Sequence, residues 1–152
     1  MIDLTQHLAS VPPAVFLPAA KSMLTVPIQV MGDIVTARQH GRRLSLEIGS
    51  GAGDSTLIAT IISELARNVI LYAKSGEIML GKIVNTHQHG IEIVCRDSGP
   101  GIAEVQRALL GGYSTSGGLG MGLSGVRRIA DTFHIDTGPG TGTTIKLTKW
   151  LR

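Results

Sequence analysis

Between residues 54 and 74 apolar side chains recur every three or four positions, at Leu57, Ile58, Ile61, Ile62, Leu65, Val69 and Tyr72, the spacing of one long amphipathic helix. An arc that wide cannot face water, so the chain must supply a second layer to cover it. Alternating segments supply that layer. Val26, Ile28 and Val30 share one face of a strand, and residues 77–84 and 91–97 read as a hairpin around a polar loop with Asn85 and Gly90. Further strands are expected around Ile135 and over 143–150. Asp33 is placed to cap a first helix with Ile34, Gly41, Leu44 and Ile48 inward and Gly49 at its end, and Asp54 to cap the long one. Shorter helices are expected over 103–110 and 124–133, the latter with Val126, Ile129, Ala130 and Phe133 inward. The sum is a compact domain of helices and strands, read from Val26 as α/β.

With 152 residues the chain fits one domain, and 43% hydrophobic against 16% charged residues give it a core. Pro12, Pro13 and Pro18 break up the first 25 residues, so 1–25 reads as a loosely held extension, with Leu4, Leu8 and Val11 spaced for at most a short amphipathic helix. The domain proper is 26–152.

Several function classes drop out. The 14 basic and 11 acidic residues are dispersed, with no basic run for nucleic acid. Cys95 is the single cysteine, lies in an apolar alternating stretch, and reads as a core residue in a reducing cytoplasm. There is no basic leader and no uninterrupted apolar run of the ~18 residues that span a bilayer, so neither secretion nor a membrane is expected.

Three places carry chemistry. Glu64 and Asn68 stand four residues apart on the long helix, with Asn68 inside the apolar arc and Glu64 at its edge. A carboxylate and an amide there require polar company, and a magnesium ion with a phosphate chain would supply it; a surface pair of Glu64 with Arg67 or Lys74 is the competing reading. Asp97 ends a strand and is followed by Gly99, Pro100 and Gly101, so it can accept from a base amino group while bare backbone lies against the base; a plain turn is the alternative. Gly118, Leu119, Gly120, Gly122 and Leu123 run into a helix, where backbone N–H groups can surround phosphates, although a solvent loop would look the same. Gly120, Gly122 and Gly125 satisfy the spacing of a dinucleotide fingerprint, but no strand precedes them and no acid follows at the required distance. No Lys-Ser or Lys-Thr follows to make a P-loop.

ExxxN on a helix, DxGxG after a strand and GGxGxGL opening a helix, in that order, resemble the GHKL or Bergerat-fold ATPases. Ser63-Glu64-Leu65-Ala66-Arg67-Asn68, the run Tyr113-Ser114-Thr115-Ser116-Gly117-Gly118-Leu119-Gly120 and the closing Lys149-Trp150-Leu151-Arg152 are similar to the stressosome serine/threonine kinases of that superfamily, over residues 26–152. The resemblance implies an α+β two-layer sandwich of the Bergerat kind, a mixed sheet covered by helices on one face, with ATP and Mg²⁺ as cofactors. Asn68 would coordinate the Mg²⁺, Asp97 would bind adenine N6 beside Gly99 and Gly101, and Glu64 would be the catalytic base. Gly118, Leu119, Gly120, Gly122 and Leu123 would close over the phosphates, and Thr143 would support the adenine. The implied partners are STAS-domain scaffold proteins of the RsbR and RsbS kind and an RsbU-like phosphatase. Anti-sigma factor kinases share this ATP site and are the nearest alternative; a nucleotide-gated binding module without transferase activity is the other. A histidine kinase is disfavoured, because none of the five histidines is followed by an acid.

Overall fold

The computed structural model describes residues 2–3, 22–102 and 122–152, the first pair through its backbone. The alternating segments form one sheet of β1 (Ile2–Asp3), β2 (Leu24–Ile28), β3 (Gly76–Val84), β4 (His89–Asp97), β5 (Thr132–Thr137) and β6 (Thr143–Leu151), in spatial order β1-β5-β6-β4-β3-β2. Helices α1 (Gly32–Glu47), α2 (Ala52–Asn68) and α3 (Gly122–Ile129) make the second layer. The two-layer α+β architecture is therefore as expected, but every strand pairing is antiparallel rather than mixed. The crossover explains it. Between β2 and β3 the chain runs through two helices joined by a short loop, not one, so it returns pointing against β2.

The core is aliphatic, as 3% aromatic residues dictate. Ile58, Ile61, Ile62 and Leu65 of α2 meet Ile78 and Leu80 of β3, Ile91 and Ile93 of β4, and Ile135 and Leu147 of β5 and β6, all essentially solvent-free. Each such side chain contributes ~1.5–3 kcal/mol on burial. Gly41 lets α1 lie close on α2, because a methyl there would overlap Ile62 Cδ1. Residues 52–73 are long and apolar enough to cross a bilayer by length and composition, yet half of the apolar window is buried in this core, where α2 is the central helix.

The helix ends differ from expectation in instructive ways. Asp33 is not the cap of α1: Met31 is, without a side-chain bond, while Asp33 Oδ2 reaches back to accept from Gln29 N at 2.8 Å and Val30 N at 3.0 Å. Asp54 likewise sits inside the first turn of α2 behind Gly51, and its Oδ2 accepts from Arg152 N at 2.6 Å, tying the end of the chain to that helix. Gly49 does end α1. At φ +83° it closes a Schellman pair, Gly49 N to Leu46 O and Ser50 N to Ser45 O. Strand β2 stops at Ile28, which leaves Val30 61% exposed rather than inward.

The C-terminal end of α2 is the largest departure. After Asn68 the helix widens into a π turn, Val69–Ala73, and stops at Lys74 with φ 72°. The extra residue rotates everything beyond Val69, so Tyr72 is 48% exposed instead of buried. Helix α3 ends at Ile129, earlier than expected, because the Thr132–Thr137 alternation claims Phe133 for β5, where it is still buried. The hairpin expectation holds, with Asn85 Oδ1 accepting from His87 N and Gln88 N. The helix expected over 103–110 and the short one through Leu4, Leu8 and Val11 lie outside the described residues.

Candidate functional site

The apolar stripe of α2 fixes how its polar residues sit. Ile61 and Leu65 point at the sheet, so Glu64 between them is carried inward to 3% exposure. Arg67, one turn on, donates from Nη1 to Glu64 Oε1 at 3.0 Å and keeps a quarter of its own side chain in solvent. The anticipated Glu64–Arg67 pair thus forms, but around a buried carboxylate, not at the surface. Asn68 closes the regular helix, half-buried, immediately before the π turn.

Asp97 stands at the end of β4, opposite Gly76 of β3 on one side and Thr143 of β6 on the other. Its Oδ1 accepts from Gly99 N at 2.9 Å. Burial pushes the carboxyl above the usual aspartate range, and the backbone N–H groups of Gly99 and Thr143 pull it part of the way back. Burial wins.

Two missing side chains bring the helix end and the strand end together. A Cβ on Gly76 would stand 3.0 Å from Val69 Cγ1 and 3.1 Å from Asp97 Cβ, so the residue after Asn68 and the strand-end acid meet across that glycine. A Cβ on Gly99 would lie 2.6 Å from Ala73 Cβ, so the last residue of the π turn packs on the turn that follows Asp97. The structure therefore brings the helix end that follows Asn68 against Asp97 and Gly99 at one end of the sandwich, with Glu64 one turn earlier on the same helix.

The turn of residues 98–102 is locked to that of 138–142. Gly140 N donates to Pro100 O at 2.6 Å, and Ile102 N donates to Thr137 Oγ1 at 3.0 Å. Gly101 at φ +80° runs against Gly138 O, and Gly142 at φ +75° runs against Asp97 O, leaving no room for a Cβ at either. Thr143 is buried on the core face of β6, its Oγ1 2.9 Å from Thr137 Oγ1.

Of the glycine-rich run, Gly122 and Leu123 are described; Gly118, Leu119 and Gly120 lie outside the described residues. Gly122 opens α3 at φ +53°, a left-handed conformation that a Cβ disfavours. The Leu123 side chain belongs to the hydrophobic core, so what it can offer a ligand is its backbone N–H in the first turn of α3. Among the described residues no three His, Cys, Asp or Glu side chains cluster as a metal site. Magnesium suits such surroundings, since it is commonly held by one or two protein oxygens together with phosphates and water, and the Asn68 amide oxygen is a donor of that kind. Cys95 is fully buried and burial pushes its thiol far up, so it is a core residue as read.

Sequence reasoning missed Thr137, Gly76 and Ala73. Thr137 was findable: it shares the inward face of β5 with Phe133 and Ile135, and a hydroxyl in that position needs partners. The π turn left no signal in the spacing.

Residues 53–152 match the family described as Histidine kinase-, DNA gyrase B-, and HSP90-like ATPase. The chain belongs to that family, and its nucleotide is ATP. Within it the chain is a protein kinase of the RsbT type: it is 46% identical to the serine/threonine-protein kinase RsbT of Bacillus subtilis (strain 168) over 127 residues, 84% of this chain and 96% of that protein. It is also 35% identical to an anti-sigma F factor of Bacillus licheniformis over 63% of this chain and 69% of that one, and 34% identical over the same shares to the anti-sigma F factor of Bacillus subtilis (strain 168).

Proposed function

We propose that the chain is an ATP-dependent serine/threonine kinase of stress signalling that phosphorylates STAS-domain scaffold proteins of the RsbR and RsbS kind and, once released, activates an RsbU-like phosphatase in the cytoplasm. The observation that carries this reading is the meeting of Val69, next to Asn68, with Asp97 across Gly76, in a chain that is RsbT-like over most of its length. Residues 26–152 form the kinase domain, with its first strand reaching back to Leu24, and 1–25 precede it as an extension.

In this reading Asp97 accepts from adenine N6, Gly99 and Gly101 let the base lie on bare backbone, and the Thr143 hydroxyl supports the same edge. Asn68 holds Mg²⁺, which neutralises charge on the phosphates, and backbone N–H groups from Gly118, Leu119, Gly120, Gly122 and Leu123 surround the phosphate chain. Glu64 takes the proton of the attacking serine or threonine hydroxyl, with Arg67 bracing its carboxylate from the same helix. Phosphoryl transfer depends chiefly on alignment and charge neutralisation, which suits a small domain whose acceptor arrives on another protein.

The test is transfer of label from γ-labelled ATP to a purified STAS protein, beside Glu64→Ala. Transfer by the wild type and none by the variant supports the reading; no transfer by either, with ATP bound, turns it toward a nucleotide-gated binding module. The likeness to anti-sigma F factors favours one rival, an anti-sigma factor kinase, and retention of a sigma factor in a pull-down would select it.

A further inference from the structure

We propose that Thr137 is a positioning residue that sets the direction of the Thr143 hydroxyl and so makes the base end of the site selective for a purine carrying an amino group. The inference rests on the reading of Asp97 and Thr143 as the adenine end of the site.

Thr137 is wholly buried, and its single oxygen serves three neighbours, Ile102 from one segment and the consecutive Gly142 and Thr143 from another. It accepts from Ile102 N at 3.0 Å, donates to Gly142 O at 3.1 Å, and stands 2.9 Å from Thr143 Oγ1. A hydroxyl has one proton and two lone pairs. With the proton spent on Gly142 O and one lone pair on Ile102 N, what remains for Thr143 is a lone pair. The Thr143 proton is therefore turned back into the fold, and the face of its oxygen directed away from Thr137 can only accept.

Asp97, paired with Thr143 across β4 and β6, is also an acceptor when ionised. Two acceptors suit the amino group of a 6-aminopurine, or a water that it orders. They oppose a 6-oxopurine, which would leave its carbonyl facing lone pairs, an unmatched polar contact of the kind that produces strong discrimination. Thr137 need not touch the nucleotide to do this. It acts by removing the one donor that Thr143 has to offer.

The test compares wild type, Thr137→Val and Thr137→Ser by titration calorimetry with ATP, GTP and ITP, with thermal melting as the fold control and Asp97→Asn alongside. In wild type ATP is preferred over ITP. Thr137→Val frees the Thr143 proton and narrows that preference by about tenfold, the scale of one hydrogen bond gained or lost. Thr137→Ser keeps the hydroxyl and restores the preference. A purely structural role would lower the melting temperature of Thr137→Val and weaken all three nucleotides equally; an unchanged ATP-to-ITP ratio, or a Thr137→Ser variant that fails to restore it, overturns the inference. If Thr137→Val does not fold, Thr143→Val carries the comparison, since losing the same acceptor must also narrow the ratio; an unchanged ratio there overturns the inference too. Asp97→Asn separates the two levels. Weakened ATP binding in that variant with an unmoved ratio in Thr137→Val sinks the Thr137 role alone, whereas unchanged ATP binding in Asp97→Asn sinks the adenine site and this inference with it.

Discussion

Replacing Asp97 by asparagine changes charge and hydrogen bonding while nearly conserving shape, so it isolates what the carboxylate does. In the folded chain burial raises the carboxyl above its ordinary 3.8, outweighing the N–H groups of Gly99 and Thr143. The folded state thus holds its proton to higher pH than the unfolded state. Between the unfolded and folded values it binds more protons, and stability falls as pH rises through that window, staying at its lower level above it. Asp97→Asn removes this slope, so urea midpoints of the apo variant between pH 4 and pH 8 run flatter than those of the wild type. The effect on ligand is opposite. A hydrogen bond from adenine N6 to an ionised acceptor contributes ~1.5–3 kcal/mol, so the variant binds ATP roughly 10- to 100-fold more weakly at pH 8. Calorimetry with ATP reads the loss directly, and ITP, which lacks the amino group, loses far less. A variant that binds ATP as tightly as wild type, or a wild type indifferent between ATP and ITP, refutes the adenine role of Asp97; an unaltered pH slope refutes the burial argument separately.

Glu64→Gln keeps the volume of a side chain 3% exposed, so the melting temperature and ATP affinity hold while turnover on a STAS substrate falls by ~10²- to 10⁴-fold, measured by single-turnover transfer. Gly99→Ala places a methyl 2.6 Å from Ala73 Cβ, and displacing the π turn costs ~1–3 kcal/mol in denaturant unfolding with a parallel loss of nucleotide affinity. An alanine there that leaves both unchanged would remove the π turn from the account. Glu92 is buried on the sheet face away from the helices, its Oε1 3.8 Å from Lys146 Nζ and its Oε2 without a partner among the described residues. Burial raises its carboxyl above the ordinary 4.5 despite Lys146, so wild-type stability declines as pH rises through that window, and Glu92→Gln shows a flatter profile and a higher urea midpoint at pH 8.

Most of the scaffold was legible because it follows from periodicity. Ile58, Ile61, Ile62 and Leu65 at helical spacing, and Ile78, Leu80, Ile91 and Ile93 at strand spacing, are the residues that meet in the core. Strand direction was misjudged: both helices between β2 and β3 were expected, and that even count returns the chain antiparallel, but the mixed sheet was taken from the resemblance. The helix starts misled for another reason. Asp33 and Asp54 have the right side chain for a cap two and three positions too late, and each spends it on backbone N–H groups from elsewhere, Gln29 and Val30 in one case and Arg152 in the other. The polar residues of the candidate site were visible as Glu64, Asn68 and Asp97; Thr137 could be found as a hydroxyl on the inward face of β5, but not the partners that converge on it.

Where local rules fail together, the cause is common. A regular α-helix carried past Asn68 would turn Tyr72 inward and close the apolar arc, the outcome that periodicity alone favours. The π turn gives up that burial, leaving Leu71 and Tyr72 about half exposed, and in exchange brings Ala73 onto Gly99. A few residues earlier the same helix buries the Glu64 carboxylate, with the Arg67 guanidinium group as its one partner among the described residues. Both features work against stability, and the π turn packs directly on the turn that follows Asp97. Departures from the local rules that gather in one place, while the rest of the helix obeys them, are expected where a chain has exchanged stability for a binding surface. On this argument, straightening α2 by deleting one residue of the π turn yields a domain that packs at least as well and binds ATP worse. A deletion variant that keeps wild-type affinity would mean the bulge is only a packing accommodation.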